Sequence, residues 1–504
     1  MSVDAVVIGG GINGLVAATV LARKGRKVCL VEQSGTLGGM AAGGDSGLRM
    51  AHLLWNLSPL VRLEVGMDAH KWPFALTKVP TVALDPEGRH VIVRGNKAQF
   101  ADGSAHPQAE AYQALIQQLV GYGDLLRRLA EAPPPGIEGA WTSPATLKEL
   151  WRLGLFGLSL KRMEKPQMRR FLQVLLSNAY DLILDDLKDG PLAGLMAADA
   201  VRGAAAGPRS PGTVFSLMYR LGHGEEICLP EGGMTAVIDG FAEAARKAGV
   251  EIRLDTGVAR VVLEGDAVAG VETSAGEVIA ACHVLSSTGA LRTARMAGVE
   301  AFDIEATRRM RNVRAKGTAA KINITLKEPL RVTGVPADAS PARYVLAPSA
   351  AYVERAFNPS KYKAMSEAPV LEVLQSDATS LSIIMQYAPV DLEGGWTQTA
   401  RDRLLGVTTA ALEAYMPGLS DGIATSEVIT PDQIEAETGA PGGHWHHAEM
   451  ALDQILTLRP TNGMGRYGMG PKGLYLCGAG THPGGDIMGL AGRNAAQAVL
   501  EGGS

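Results

Sequence analysis

The sequence predicts an α/β chain: a Rossmann-like nucleotide-binding domain assembled from separated segments, an α+β substrate domain, and a helical cap. Three observations carry this. A strand, glycine turn, helix and second strand open the chain. A second strand, glycine loop and helix close it. Helical and strand-like stretches lie between the two.

The first unit begins with Ala5-Val6-Val7-Ile8, a short apolar run that reads as a buried parallel strand. It runs into Gly9-Gly10-Gly11-Ile12-Asn13-Gly14, then into Leu15 to Lys24 with helical apolar spacing, and stops at Gly25. Val28-Cys29-Leu30-Val31 is the second strand and ends at Glu32. Gly9 suits the tight turn, Gly11 lets backbone approach a pyrophosphate, and Gly14 lets helix pack on strand. The helix start offers free N–H groups and a positive dipole end to phosphates. Glu32 is placed to accept hydrogen bonds from a ribose diol and would repel a 2′-phosphate. Val3 to Ala22 is apolar enough to resemble a signal peptide or membrane span. It lacks a basic leader and contains Asp4 and Asn13, so the nucleotide turn explains its glycines better.

A second glycine pair, Gly38-Gly39, follows within Ser34 to Met40. It resembles the extended dinucleotide signature of FAD-dependent amine oxidases and carotenoid desaturases, where the pair passes close to the flavin diphosphate. That favours FAD over a nicotinamide cofactor. At the far end, Gly473 to Gly480 reads as a strand ending in small residues, Thr481 to Asp486 as a loop, and Ile487 to Leu500 as a helix. A helix start aimed at a flavin would stabilise the negative charge gained on reduction.

GLYLCGAGTHPGG followed by GLAGRNAAQAV resembles the C-terminal FAD signature of phytoene desaturase-related oxidoreductases, in the branch of pyridine nucleotide-disulphide oxidoreductase domain-containing protein 2. Ser210-Pro211-Gly212, Pro230-Glu231-Gly232-Gly233-Met234, Thr430-Pro431-Asp432, Gly442-Gly443-His444 and Arg459-Pro460 follow the same pattern in the same order. The resemblance implies a glutathione reductase-type FAD domain from residues 1–60, 225–315 and 455–504, with the substrate domain and cap from 61–224 and 316–454. It implies FAD contacts at Gly9, Gly11, Asn13, Gly14, Glu32, Gly38, Gly39, Met40 and Val258. Toward the flavin end it implies contacts at Gly478, Gly480, Asp486, Ile487 and Met488. Two departures stand out: Asp486 occupies a position where members carry a third glycine, and Ala41 to Ser58 is shorter than the family's segment.

Between the signatures, Met234 to Lys247 reads as an amphipathic helix and Val250 to Leu254 as a strand. Thr256 to Leu263 and Val268 to Thr273 form a hairpin around a Gly-Asp turn, and Val284 to Gly289 is a strand returning to the nucleotide. Glu110 to Glu131 and Ser143 to Leu184 carry helical periodicity on either side of Pro133-Pro134-Pro135. Lys321 to Leu326, Leu371 to Gln375 and Leu381 to Tyr387 read as strands of the substrate domain.

Composition bounds the function. The chain has 504 residues, 46% hydrophobic and 20% charged, which excludes wholesale disorder. Its 48 basic and 52 acidic residues give a net charge of -4, without the basic footprint of a general nucleic-acid binder. Cys29, Cys228, Cys282 and Cys477 form no CxxC pair, so no dithiol redox centre is expected and a reduced, cytoplasmic setting fits. His444-Trp445-His446-His447 has no separate cluster to complete a zinc set, so it reads as a loop near the flavin mouth or a solvated turn, and no metal is expected. His482 and Asp486 are the candidate catalytic residues; His52, Asn56, Asp199 and Arg202 carry no motif that assigns them roles.

The resemblance implies desaturation of a hydrophobic small molecule by hydride transfer to flavin; the electron acceptor stays open among oxygen, a quinone and another acceptor. It is compatible with peripheral membrane contact and with a homo-oligomer. Amine oxidation is the alternative. A non-catalytic binder like the GDP-dissociation inhibitors is a third reading, against which the intact glycines and Glu32 argue.

Overall fold

The computed structural model describes residues 2–41, 49–67, 74–134, 164–222, 224 and 226–502. Ser2–Ile8 sits in the middle of a seven-stranded sheet, and its residues 5–8 are buried on both faces, as an apolar strand covered by helices must be. It pairs in parallel with Val28–Val31 on one side and Val278–Ser286 on the other. Glu251–Arg253 extends the first side in parallel. Beyond Val278–Ser286 the direction reverses into Ala267–Thr273 and Val258–Glu264, joined at Gly265 with φ +62°. Leu474–Leu476 pairs in parallel with the end of Val278–Ser286. Ile8 and Leu476 both pair with Ser286, so the two glycine turns emerge side by side at the carboxyl end of one sheet.

Helix Ile12–Arg23 packs against Gly233–Lys247 and the final helix, Leu490–Leu500. Close approach of the first and last helices needs Gly492: a Cβ there would lie 2.0 Å from the Asn13 carbonyl oxygen. The final helix starts at Leu490, with Gly489 as its N-cap, rather than at the expected Ile487. Asp486 and Ile487 instead occupy left-handed backbone, φ +68° and +63°, so Asp486 does not cap this helix.

The second sheet has eight strands in the order Ile423–Ile429, Ala319–Leu326, Ser380–Gln386, Val370–Gln375, Ala342–Leu346, Thr81–Ala83, Val91–Arg94 and Lys97–Phe100. Its one parallel pairing joins Ala342–Leu346 to Thr81–Ala83. The stretch expected to form only a helical cap therefore also supplies strands, including Leu76–Lys78, which pairs with Cys228–Pro230. These strands are three or four residues long, too short to show a period, and are fixed by pairing with distant segments. The described cap helices include Ala109–Ala130, Lys165–Leu176, Ala179–Asp186, Pro191–Ala200 and Thr213–Arg220. Residues 143–163 of the expected helical region, Pro135 and residues 42–48 lie outside the described residues. Among the described residues no helix is long and apolar enough to cross a membrane.

Candidate active site

A cavity of about 350 Å³ opens where the two glycine turns meet, between the parallel sheet and the second domain. The first turn contributes Gly9, Gly11, Asn13 and Gly14, and Glu32 follows from the end of the second strand. The second glycine turn adds Gly38, Gly39 and Met40; the hairpin adds Val258; the C-terminal loop adds Gly478, Asp486 and Ile487. Gly480 and Met488 do not line it. Gly480 lies against His447, and Met488, only 2% exposed, packs into the core beneath the first helix.

The donor set suits a dinucleotide. Helix Ile12–Arg23 has Gly11 as its N-cap, with no side-chain cap and no acid in its first turn, so its leading N–H groups are left for an anion with nothing to compete. Gly38 donates its N–H to the Gly10 carbonyl at 3.1 Å, and a Cβ on Gly39 would come within 3.2 Å of the Gly11 Cα. The two glycine turns therefore stack backbone on backbone. Glu32 is held by the N–H groups of Gly10 (2.6 Å) and Ser34 (2.9 Å), which fix its carboxylate at the cavity wall. The Asn13 side chain also accepts the Gly492 N–H at 3.2 Å, tying the first helix to the start of the last.

His482 lies elsewhere. It is 4% exposed, its Nε2 donates to the Leu129 carbonyl at 3.1 Å, and burial pushes its pKa down to about 4. It orders the loop against helix Ala109–Ala130 and is not among the residues that line the cavity. In the His444 to His447 segment His444 and His446 are buried and Trp445 and His447 half-buried, so it is not a solvated turn, and Trp445, His446 and His447 form cavity wall. Its anchor is Arg459, fully buried, whose guanidinium donates to six backbone carbonyls, those of His446, Ala448, Glu449, Gln454, Ala479 and Thr481. Burial and that cation hold His447 at about pKa 4 and His446 well below its ordinary value.

Behind the cavity lies a buried network that joins three of the unassigned residues, His52, Asp199 and Arg202, to residues the sequence did not flag. Glu372 accepts from Arg202 Nε and Nη2 at 2.9 and 2.7 Å, from Arg343 Nε at 2.9 Å, and meets His52 Nε2 at 2.8 Å. Burial alone would raise its pKa; the two guanidiniums hold it well below the carboxylate range. Asp199 accepts from Arg343 and, at 2.9 Å, from Arg220. Lys321 lies 3.1 Å from His52 Nδ1, and burial pushes its pKa down to about 7 and that of His52 to about 3. Asn56 donates to the Tyr219 carbonyl at 3.2 Å. The missed residues had a signal: Lys321, Arg343 and Glu372 each stand between hydrophobic neighbours in a strand, where a charge demands a buried partner.

The family described as flavin containing amine oxidoreductase matches residues 12–500. Pyridine nucleotide-disulfide oxidoreductase domain-containing protein 2 of Rattus norvegicus is 27% identical over 99% of this chain and 93% of its own length. The lycopene-forming phytoene desaturase of a Paracoccus species is 21% identical over 98% and 96%. The fold is similar to that of putrescine oxidase bound to putrescine, with a TM-score of 0.57 and 14% identity over 99% of both chains.

Proposed function

Because the chain belongs to the flavin containing amine oxidoreductase family and is an FAD-dependent oxidoreductase acting on a small molecule, we propose that it dehydrogenates an organic substrate at a carbon–carbon bond. Bound FAD supplies the two-electron acceptor. One C–H bond gives up its hydrogen with the electron pair; the neighbouring carbon loses a proton, and the pair left behind closes the double bond. The electrons leave the enzyme to oxygen or a quinone.

Asp486 carries this reading. It sits in strained backbone at φ +68° and lines the cavity, and His446 Nε2 lies 3.9 Å from its carboxylate. A carboxylate held there without a capping role is free to take the proton. The neighbouring His446 and His447 are poor alternatives, because burial opposes their protonated forms. Met50, Leu53 and Trp55 provide an apolar wall for the substrate's carbon skeleton.

The test is an anaerobic screen of hydrocarbon-chain substrates and amines, following loss of oxidised-flavin absorbance. Asp486→Asn is expected to retain FAD and to slow bleaching about 100-fold or more, the scale of a lost general base. Bleaching of the variant at the wild-type rate overturns the assignment. A second reading has one observation behind it: the same carboxylate would hold an ammonium group, and bleaching by amines alone would move the reaction to C–N oxidation.

A further inference from the structure

Five charged side chains behind the cavity form a chain of alternating sign: Arg202, Glu372, Arg343, Asp199, Arg220. Each carboxylate is shared by two guanidiniums. Three guanidiniums share two carboxylates by hydrogen bond, arginine cannot shed its charge, and the further carboxylate that acts on Arg202 and Arg220, Asp486, does so only through space. The excess of guanidinium falls at the ends. Arg343 spends its donors on both carboxylates, whereas Arg202 and Arg220 are each held by one.

The two ends meet again. Arg202 and Arg220 both line a small chamber of about 20 Å³, and Arg202 also lines the main cavity, as do Asp486 and His446. Both guanidiniums lie over the ring of Trp55, at 5.6 and 3.9 Å from its centroid. Arg220 Nη2 is buried without a hydrogen-bond partner, an arrangement that is costly for a charged group. His444 Nε2, on the same chamber wall, is also unpartnered. Its Nδ1 accepts the His446 N–H at 3.1 Å, so Nε2 carries the proton and is a second idle donor. Burial lowers the pKa of Arg220 in spite of Asp199 and Asp486, whereas at Arg202 the charge and hydrogen bonds of Glu372, with Asp486, together offset burial and raise it, so Arg220 is the less compensated end. Asp486 lines the chamber too, but no ion pair within 4 Å joins it to either arginine among the described residues.

We propose that the gap between Arg202 and Arg220 is a carboxylate-binding subsite, and that the substrate is an organic acid whose carboxylate closes the ring of alternating charge while its carbon chain reaches back to the flavin. This rests on the reading above only in placing the reacting carbons beside the flavin; the subsite itself does not depend on it.

The test is isothermal titration of holoprotein and of FAD-stripped protein with acetate, propionate and benzoate, each beside its amide. At least one carboxylate is expected to bind ten-fold or more tightly than its amide in both forms. Arg220→Met is expected to erase that preference, and Arg202→Gln to reduce it, without loss of bound FAD. Equal binding of every acid and its amide to the wild type overturns the proposal, and that comparison needs no variant to fold. Undiminished acid preference in folded Arg220→Met overturns it as well. Failure of the protein to take up FAD would count against the flavin site alone, because the stripped-protein titration reads the subsite independently.

Discussion

The first glycine turn separates two demands, fold and ligand, and a pair of alanine substitutions separates them experimentally. A Cβ on Gly14 would lie 2.0 Å from the Gly9 carbonyl oxygen, against about 3.4 Å for ordinary contact, so helix and strand would have to part by more than an ångström. The obstacle is backbone in the turn that follows the central strand and does not yield cheaply. Overpacking of this kind costs about 1–3 kcal/mol and more where backbone must move; the helix propensity gained by alanine returns at most about 1 kcal/mol. Gly11 is the reverse case. Its φ of -72° is open to any residue, and a Cβ there meets nothing nearer than the Gly39 Cα at 3.8 Å. Alanine at this N-cap costs up to about 1 kcal/mol of stability, yet its methyl group faces the place where phosphate must touch backbone. Thermal unfolding of FAD-free protein is therefore expected to fall by roughly 5 °C or more for Gly14→Ala and by clearly less for Gly11→Ala. Fluorimetric titration with FAD is expected to show the opposite order per unit of folded protein, with Gly11→Ala weakened at least tenfold, about 1.4 kcal/mol. A Gly11→Ala protein that binds FAD within two-fold of wild type would refute the placement of the phosphate. A Gly14→Ala protein as stable as wild type would refute the packing argument.

Arg459→Met, which keeps the bulk but strips six carbonyls of their donor, is expected to cost about 3 kcal/mol or more in urea unfolding; a loss under about 1 kcal/mol would mean water replaces the guanidinium at no cost. His52, His447 and His482 have folded pKa values of about 3, 4 and 4, below their unfolded value near 6.5. Their contribution is therefore complete above pH 6.5 and drains away as pH falls toward 4, by about 3 kcal/mol for each at most. Stability measured across that window is expected to drop with more than one proton's slope, and His482→Asn to flatten it; a flat profile counts against the burial of these rings. Asp486→Gly relieves a left-handed backbone and is expected to raise the melting temperature slightly while turnover collapses; a lowered melting temperature would restore a capping role.

The sequence made the nucleotide half legible because its constraints are local. Gly9 to Gly14, Glu32 and Gly38-Gly39 all lie in the first 39 residues of the sequence, and each answers to a turn or a close contact that spacing reveals. The strands Lys321 to Leu326, Leu371 to Gln375 and Leu381 to Tyr387 were readable for the same reason, their apolar runs being long enough to show. The short strands Thr81–Ala83 and Lys97–Phe100 were not, because pairing with distant segments, rather than their own propensity, makes them strands. The start of the last helix was misplaced because Asp486 and Ile487 adopt a left-handed conformation that their side chains do not announce. His482 drew notice by sitting inside a motif, yet a single hydrogen bond to Leu129 turns it away from the cavity.

The charged network shows the limit most sharply, and also why it matters for chemistry. Its members come from residues 52, 199, 202, 220, 321, 343 and 372, on elements that meet only in the folded chain, so no window of sequence contains a pair of them apart from Asp199 and Arg202. Burying charges this deeply is seldom stabilising in itself, since desolvation opposes each ion and an apolar filling of equal volume would serve the fold as well. Retaining three guanidiniums against two carboxylates makes the arrangement worse as packing and better as a binding surface. The same holds at Asp486, where backbone strain buys nothing for the final helix. Arg202 and Asp486 both lie on the wall shared by the main cavity and the small chamber, and two independent departures from what the fold needs, converging on one wall, are the reason the proposed substrate site is put there.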